Sequence, residues 1–183
     1  MSRVTTEIRD HVAHVTLTRG DKMNAVDPDM AQAIVDAGEA LASNEDVRAV
    51  LLSGEGRAFC AGLDMASMAN IAQDAQGDGL MPRTHGIANK FQATAMVWAE
   101  CPVPVIAAIN GHTLGGGFQI ALGPDIRIAA PDAKFSVMEL KWGIVPDMGG
   151  LHLARRLMRG DVLRRLTYRS EEHTSELQSL ISI

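Results

Sequence analysis

VIAAINGHTLGGGFQIAL, residues 105–122, is the stretch that decides the fold class. Val105 to Ile109 is a short apolar run behind Pro102 and Pro104, the pattern of a buried strand. A Gly-rich turn follows, then an apolar helix through Leu122, and then a second strand from Ile126 to Ala130. Upstream, Val47 to Ser53 (VRAVLLS) is too apolar for a half-exposed strand and reads as a central one. Asp27-Pro28 starts a helix, with Asp as N-cap and Pro at the first helical position. That helix buries Met30, Ile34, Val35, Gly38 and Leu41 at helical spacing and ends near Ser43-Asn44. Val4, Thr6 and Ile8, then Val12 to Thr18, are β-branched runs broken at Asp10-His11, a hairpin signature. Gly54, Gly56 and Gly62 punctuate a loop. Ile71 to Gly86, Gly-rich around QGDG, reads as a long mobile connection before a second helix from about Ile87 to Glu100. Buried strands alternating with helices of this length predict an α/β fold.

Composition narrows the function classes. A chain of 183 residues, 46% hydrophobic, can bury one sizeable core, so one domain is expected. The net charge is −5, with both signs scattered and no basic run, which argues against nucleic acid. No apolar stretch reaches the roughly 18 residues of a membrane span, and the N-terminus lacks a long apolar signal core. Cys60 and Cys101 are expected as free buried thiols in a reducing compartment, hence a cytoplasmic protein with no membrane partner. Residues 1–168 form the expected core domain. Arg169 to Ser179 (RSEEHTSELQS) is polar without amphipathic period and resembles one reading frame of a common DNA-sequencing adapter. Residues 169–183 are therefore expected to be a non-native polar tail, set aside from the fold.

Three segments carry chemistry together. Ala58-Phe59-Cys60-Ala61-Gly62-Leu63-Asp64-Met65 and Asn110 to Gln119 each offer glycines that let a ligand approach the backbone. The second also opens a helix, whose N-terminal N–H groups stabilise negative charge. Two such backbone sites converging on one oxygen would make an oxyanion hole. The third segment, Lys134 to Glu139 followed by Val145-Pro146-Asp147-Met148-Gly149-Gly150, sets two carboxylates in apolar surroundings. There a carboxyl pKa rises toward the range of a general base. Taken singly, each feature has a plainer reading. Glycine clusters make turns, Glu139 could be a solvated charge, and His11, His14 and His112 read as packing or surface residues. Gly54-x-Gly56 lacks the third glycine of a dinucleotide fingerprint, and no Gly-x-Ser-x-Gly elbow exists.

In order and spacing these segments resemble the enoyl-CoA hydratase/isomerase (crotonase) superfamily from about Val4 to Leu166. AFCAGLDM is similar to its first oxyanion segment, NGHTLGGGFQIAL to its second, and KFSVMELKWGIVPDMGG to the segment bearing its catalytic carboxylates. The resemblance implies a spiral of ββα repeats, here incomplete in the C-terminal helical region. It implies an acyl-CoA substrate, no separate cofactor because coenzyme A is part of the substrate, no metal, and a homotrimer or hexamer. The oxyanion donors would be the N–H groups of Leu63 and Gly116. Met23 and Ala25 fall in the loop lining the CoA site, Ala61 and Asp64 near the adenine and pantetheine, and Met65, Gly115 and Met138 beside them. Hydratases of the family use two glutamates. The position matching the first holds Gln119, which cannot take or deliver a proton at neutral pH. The position matching the second keeps Glu139. Asp147 falls where dienoyl-CoA isomerases of the family carry a further catalytic aspartate, although a capping role before Met148-Gly149-Gly150 is equally open. The resemblance thus implies enoyl- or dienoyl-CoA isomerisation with Glu139 as base. A glutamine-tolerant hydratase and a non-catalytic acyl-CoA binder are the alternatives.

Overall fold

The computed structural model describes residues 2–67 and 80–174. The expected mobile connection falls largely on residues 68–79, outside the described residues. Strands β1 (Val4–Arg9) and β2 (Val12–Leu17) form the expected antiparallel hairpin, turned by Asp10 and His11, both at positive φ. Paired left-handed residues give the turn whose twist matches that of the flanking strands. Ala13, Val15 and Leu17 of β2 are fully buried, so the period-2 face of this strand floors the core.

Helix α1 (Pro28–Ala42) begins where expected. The Asp27 side chain accepts the Met30 N–H at 2.7 Å, and Pro28 occupies the first turn. Its buried face is Met30, Ala31, Ile34, Val35, Gly38 and Leu41. Gly38 permits a close crossing, because a Cβ there would overlap Val97 on helix α2 (Lys90–Ala99). Helix α2 starts three residues later than the apolar pattern suggested. Asn89 accepts the Gln92 N–H, and the Gln92 side chain accepts the Asn89 N–H, a reciprocal capping box that fixes the start.

From β3 onward the chain repeats one step. Strand β3 (Ala49–Gly54) leads to β4 (Ala58–Cys60), β5 (Val105–Ile109) to β6 (His112–Leu114), and β7 (Ile126–Ala129) to β8 (Lys134–Ser136). The first member of each pair joins a five-stranded sheet ordered β1-β2-β3-β5-β7, parallel except for the hairpin. The second joins a smaller sheet in which β4, β6 and β8 lie side by side in that order and run parallel. Helix α3 (Gly116–Ala121) follows β6, while α4 (Gly150–Leu157) and α5 (Gly160–Arg169) follow β8. The result is a spiral of strand pairs and helices. The larger apolar cluster lies between the five-stranded sheet and α1, and a second joins α2, α3, α4 and α5.

Residues 169–174, set aside on sequence grounds, lie against this core. Arg169 ends α5, Ser170 is buried, and β9 (His173–Thr174) pairs antiparallel with β8. Pairing of this kind is indifferent to sequence, because the open edge of β8 offers N–H and C=O groups to any extended chain that follows. Residues 175–183 lie outside the described residues. Among the described residues, no helix is long and apolar enough to cross a membrane.

Candidate active site

A cavity of about 110 Å3 gathers residues from all three chemistry-bearing segments. Ala61, Gly62, Leu63 and Met65 come from the segment after β4, Gly115, Gly116 and Gln119 from the start of α3, and Met138, Glu139, Asp147 and Met148 from the stretch after β8. Trp142 and Ile144 complete the wall. Of the twelve candidate residues, nine line this cavity. Met23, Ala25 and Asp64 do not. A larger cavity of about 380 Å3, walled mainly by Phe118, Leu122, Phe135 and Leu166, contains none of the candidates.

The backbone donors come together by close approach. Gly62, at φ 87°, lies so near the next segment that a Cβ would sit 2.6 Å from the Leu114 carbonyl oxygen and 3.0 Å from the Gly116 nitrogen. Gly115 takes φ 52° and ψ −120°, a conformation open to glycine alone, and turns the chain into α3. A Cβ on Gly117 would overlap the Cys60 carbonyl, so the triplet packs directly on β4. Among the described residues, neither the Leu63 N–H nor the Gly116 N–H donates a hydrogen bond. Buried backbone donors are almost always paired, so two free ones beside a cavity are available to an acceptor that enters it.

The loop of Met23 and Ala25 supports the first of these segments from behind. Ala61 N–H donates to the Met23 carbonyl and Val26 N–H to the Gly62 carbonyl, at 2.9 and 2.7 Å. Between them Asn24 is fully buried at φ 53°. Its Nδ2 donates to the carbonyls of Glu55, Ala58 and Phe59, and its Oδ1 accepts the Arg19 N–H. Cys60 Sγ donates to the Asn24 carbonyl, and burial pushes the Cys60 thiol up to about 12, which leaves it inert. Asp64 does not line the cavity and pairs with Arg19 at 2.7 Å. Burial alone would raise its pKa, but the hydrogen bond and charge of Arg19, with the Ala66 N–H, hold it below the usual value. Arg19 also reaches the Ala25 carbonyl and Asp27. Sequence reasoning missed Asn24 and Arg19 as organisers. A polar residue at a tight turn was the available signal for Asn24.

Glu139 opens a short 3-10 turn after β8 and is buried, 5% exposed. Burial raises its pKa, and the charge of Asp147 pushes the same way. Hydrogen bonds from Gln119 and from backbone N–H groups oppose the shift without cancelling it. Gln119 Nε2 donates to Glu139 Oε1 at 2.5 Å, while Oε2 is buried with no partner among the described residues. Asp147 is exposed at the cavity mouth. Its carbonyl accepts from Gln92 Nε2 at 3.0 Å, so the capping box of α2 anchors this loop. His112, on β6, does not line the cavity.

A spiral of strand pairs thus brings two free backbone N–H groups and a buried, partly unpaired carboxylate to the wall of one cavity. A family model described as enoyl-CoA hydratase/isomerase matches residues 7–172. The chain belongs to the enoyl-CoA hydratase/isomerase family. The human mitochondrial Delta(3,5)-Delta(2,4)-dienoyl-CoA isomerase is 36% identical over 149 residues, covering 80% of this chain and 45% of its own length. (E)-benzylidenesuccinyl-CoA hydratase of Thauera aromatica is 34% identical over 165 residues, covering 85% of this chain and 57% of its own. The crystal structure of an enoyl-CoA hydratase from Bacillus anthracis superposes with a TM-score of 0.86 at 26% identity, over 98% of this chain and 68% of that one. The chain thus spans about half the length of these curated relatives.

Proposed function

We propose that this site isomerises an enoyl-CoA or dienoyl-CoA thioester, with Glu139 as the base. The thioester oxygen accepts hydrogen bonds from the Leu63 and Gly116 N–H groups. Glu139 Oε2 removes a proton from the acyl chain, the C–H electron pair moves into the enolate, and the oxygen carries the charge. Return of the same proton to another carbon shifts the double bond with no net change in composition. The observation that carries this reading is the buried Glu139, its pKa raised by burial toward the working range of a base and one oxygen unpaired. Asp147, at the mouth, would serve the far end of a dienoyl chain. Ala61 and Met65 line the rim and, with Met23 and Ala25 behind them, would bear on the coenzyme A arm. Assembly as a trimer or a pair of trimers belongs to the same proposal.

Hydration is the second reading, favoured by the hydratases among the relatives. Adding water requires one group to activate it and another to protonate carbon, and Gln119 supplies neither. The test compares isomerisation of 3-enoyl- and 3,5-dienoyl-CoA with hydration of 2-enoyl-CoA in the purified protein and its Glu139→Gln variant. Isomerisation should be faster, and the variant should lose roughly 10²–10⁴-fold in kcat with affinity little changed. Dominant hydration, or normal turnover in Glu139→Gln, would refute the assignment. Affinity without any turnover would leave an acyl-CoA binder.

A further inference from the structure

Gln119 matches a glutamate position of the family's hydratases, and a free glutamine there could orient a water molecule. Its surroundings leave it another task. Only 1% exposed, it is held at both ends: the Gly150 N–H donates to Oε1 at 2.8 Å, and Nε2 donates to Glu139 Oε1 at 2.5 Å. A backbone N–H can only donate, so the atom facing Gly150 is the amide oxygen and the one facing Glu139 is the nitrogen. Space for this arrangement is built in. A Cβ at position 150 would lie 2.5 to 2.7 Å from Gln119 Oε1, Cγ and Cδ, so the first residue of α4 has to be glycine for the side chain to lie there. Gly149, at φ 86°, turns the chain into that position.

We infer that Gln119 is the positioning residue of the base: clamped by the Gly150 N–H, it ties Glu139 Oε1 and leaves Oε2 as the proton-carrying oxygen. This rests on the reading of Glu139 as base and goes beyond it. It assigns the residue that selects which oxygen reacts, and it gives the reason for glycine at position 150. It also bears on reaction choice. Turned in this way, the amide nitrogen is committed to Glu139 and the amide oxygen to the Gly150 N–H, so the side chain is not poised to orient a water molecule for addition. The charged group acting on Glu139 from the facing loop is Asp147. Lys141 shares the turn of Glu139 and is exposed, and the cavity residues contributed by α3 and the segment after β4 carry no charge.

The test is a 13C NMR titration of the Glu139 side-chain carboxyl, assigned by its loss in Glu139→Gln. Gln119→Met removes the donor at similar length, so Glu139 should titrate at higher pH than in the wild type. The acidic limb of kcat/KM should move with it, and kcat should fall on the order of 10–10²-fold with KM little changed. Gln119→Glu keeps an acceptor for the Gly150 N–H and sets two carboxyls at hydrogen-bond distance, so the pair should titrate in two separated steps. This variant decides the matter if Gln119→Met does not fold. Asp147→Asn is the control, because it should lower the Glu139 titration rather than raise it. A Glu139 titration unmoved in folded Gln119→Met, or a single unperturbed step in Gln119→Glu, would overturn the inference. The titration is read without turnover. A wild type that shows the expected shifts but isomerises nothing would therefore sink the proposed reaction and leave the clamp standing.

Discussion

Replacing Asn24 by alanine tests whether the first donor segment is held by the buried amide behind it. Three carbonyls share the two Nδ2 protons, and Oδ1 accepts the Arg19 N–H, so three hydrogen bonds are lost at a fully buried position. At about 1 kcal/mol net for each, the loss is about 3 kcal/mol, more if the stranded carbonyls stay dry. Residue 24 also sits at φ 53°, which asparagine tolerates and alanine resists by about 1 kcal/mol. Asn24→Ala should therefore cost about 3–5 kcal/mol, a large share of the roughly 5–15 kcal/mol of a typical domain. Urea unfolding followed by far-UV circular dichroism measures it, provided the transition stays two-state. Asn24→Gly removes the same bonds without the backbone strain and should be less destabilised than Asn24→Ala. A loss below about 1 kcal/mol in Asn24→Ala, or a larger loss in the glycine variant, would refute the reasoning.

Gly117→Ala should destabilise the fold severely, because its Cβ meets the Cys60 backbone, whereas Gly116→Ala meets the flexible Met148 thioether and should fold; thermal melts of the pair check this. Folded Gly116→Ala keeps its backbone N–H, so its turnover should fall by less than the roughly 10²–10³-fold expected for losing one oxyanion donor. Glu139 has a folded-state pKa raised above its unfolded value, so it binds more protons in the folded state and stability falls as pH rises through that interval. Glu139→Gln should consequently raise the melting temperature at neutral pH relative to wild type, with the gain fading below about pH 4.5, the ordinary glutamate value; an equal gain at all pH would contradict it.

The sequence was most legible where one element spans several periods. In α1 the five apolar positions read at helical spacing are all buried, and Ala31 alone extends the list. Strand β3, read as central from its apolar run, lies between β2 and β5. Strands β4, β6 and β8 escaped notice because each is three residues long, too short for alternation to register against neighbouring glycines. The segments of the site were legible as motifs, but their internal contacts were not. That Gln119 points its nitrogen at Glu139 depends on Gly150, 31 residues along the chain, which no local pattern reveals. Asp64 reads as a ligand residue by position, yet its carboxylate is taken by Arg19, whose guanidinium reaches it from a loop 45 positions earlier.

Those overlooked short strands explain why three separated motifs make one site. Strands β4, β6 and β8 are adjacent and parallel, so their C-terminal ends lie along one edge of the small sheet. Leu63 comes three residues after β4, Gly116 two after β6 and Glu139 three after β8. The ββα repeat therefore delivers one functional group per turn at nearly constant offset: two backbone donors, then a carboxylate. Glycines at 62, 115 and 117 let neighbouring turns approach closely, so that both donors border one cavity, while Asn24 and Gln119 pin the outer two turns from behind. The geometry of the site is thus a property of the spacing between parallel strands, about 4.8 Å. Chemistry is tuned separately, by side chains such as Gln119 that the repeat holds in place. On the proposed reading, a change at that one position would alter how a proton is handled without disturbing the two backbone donors.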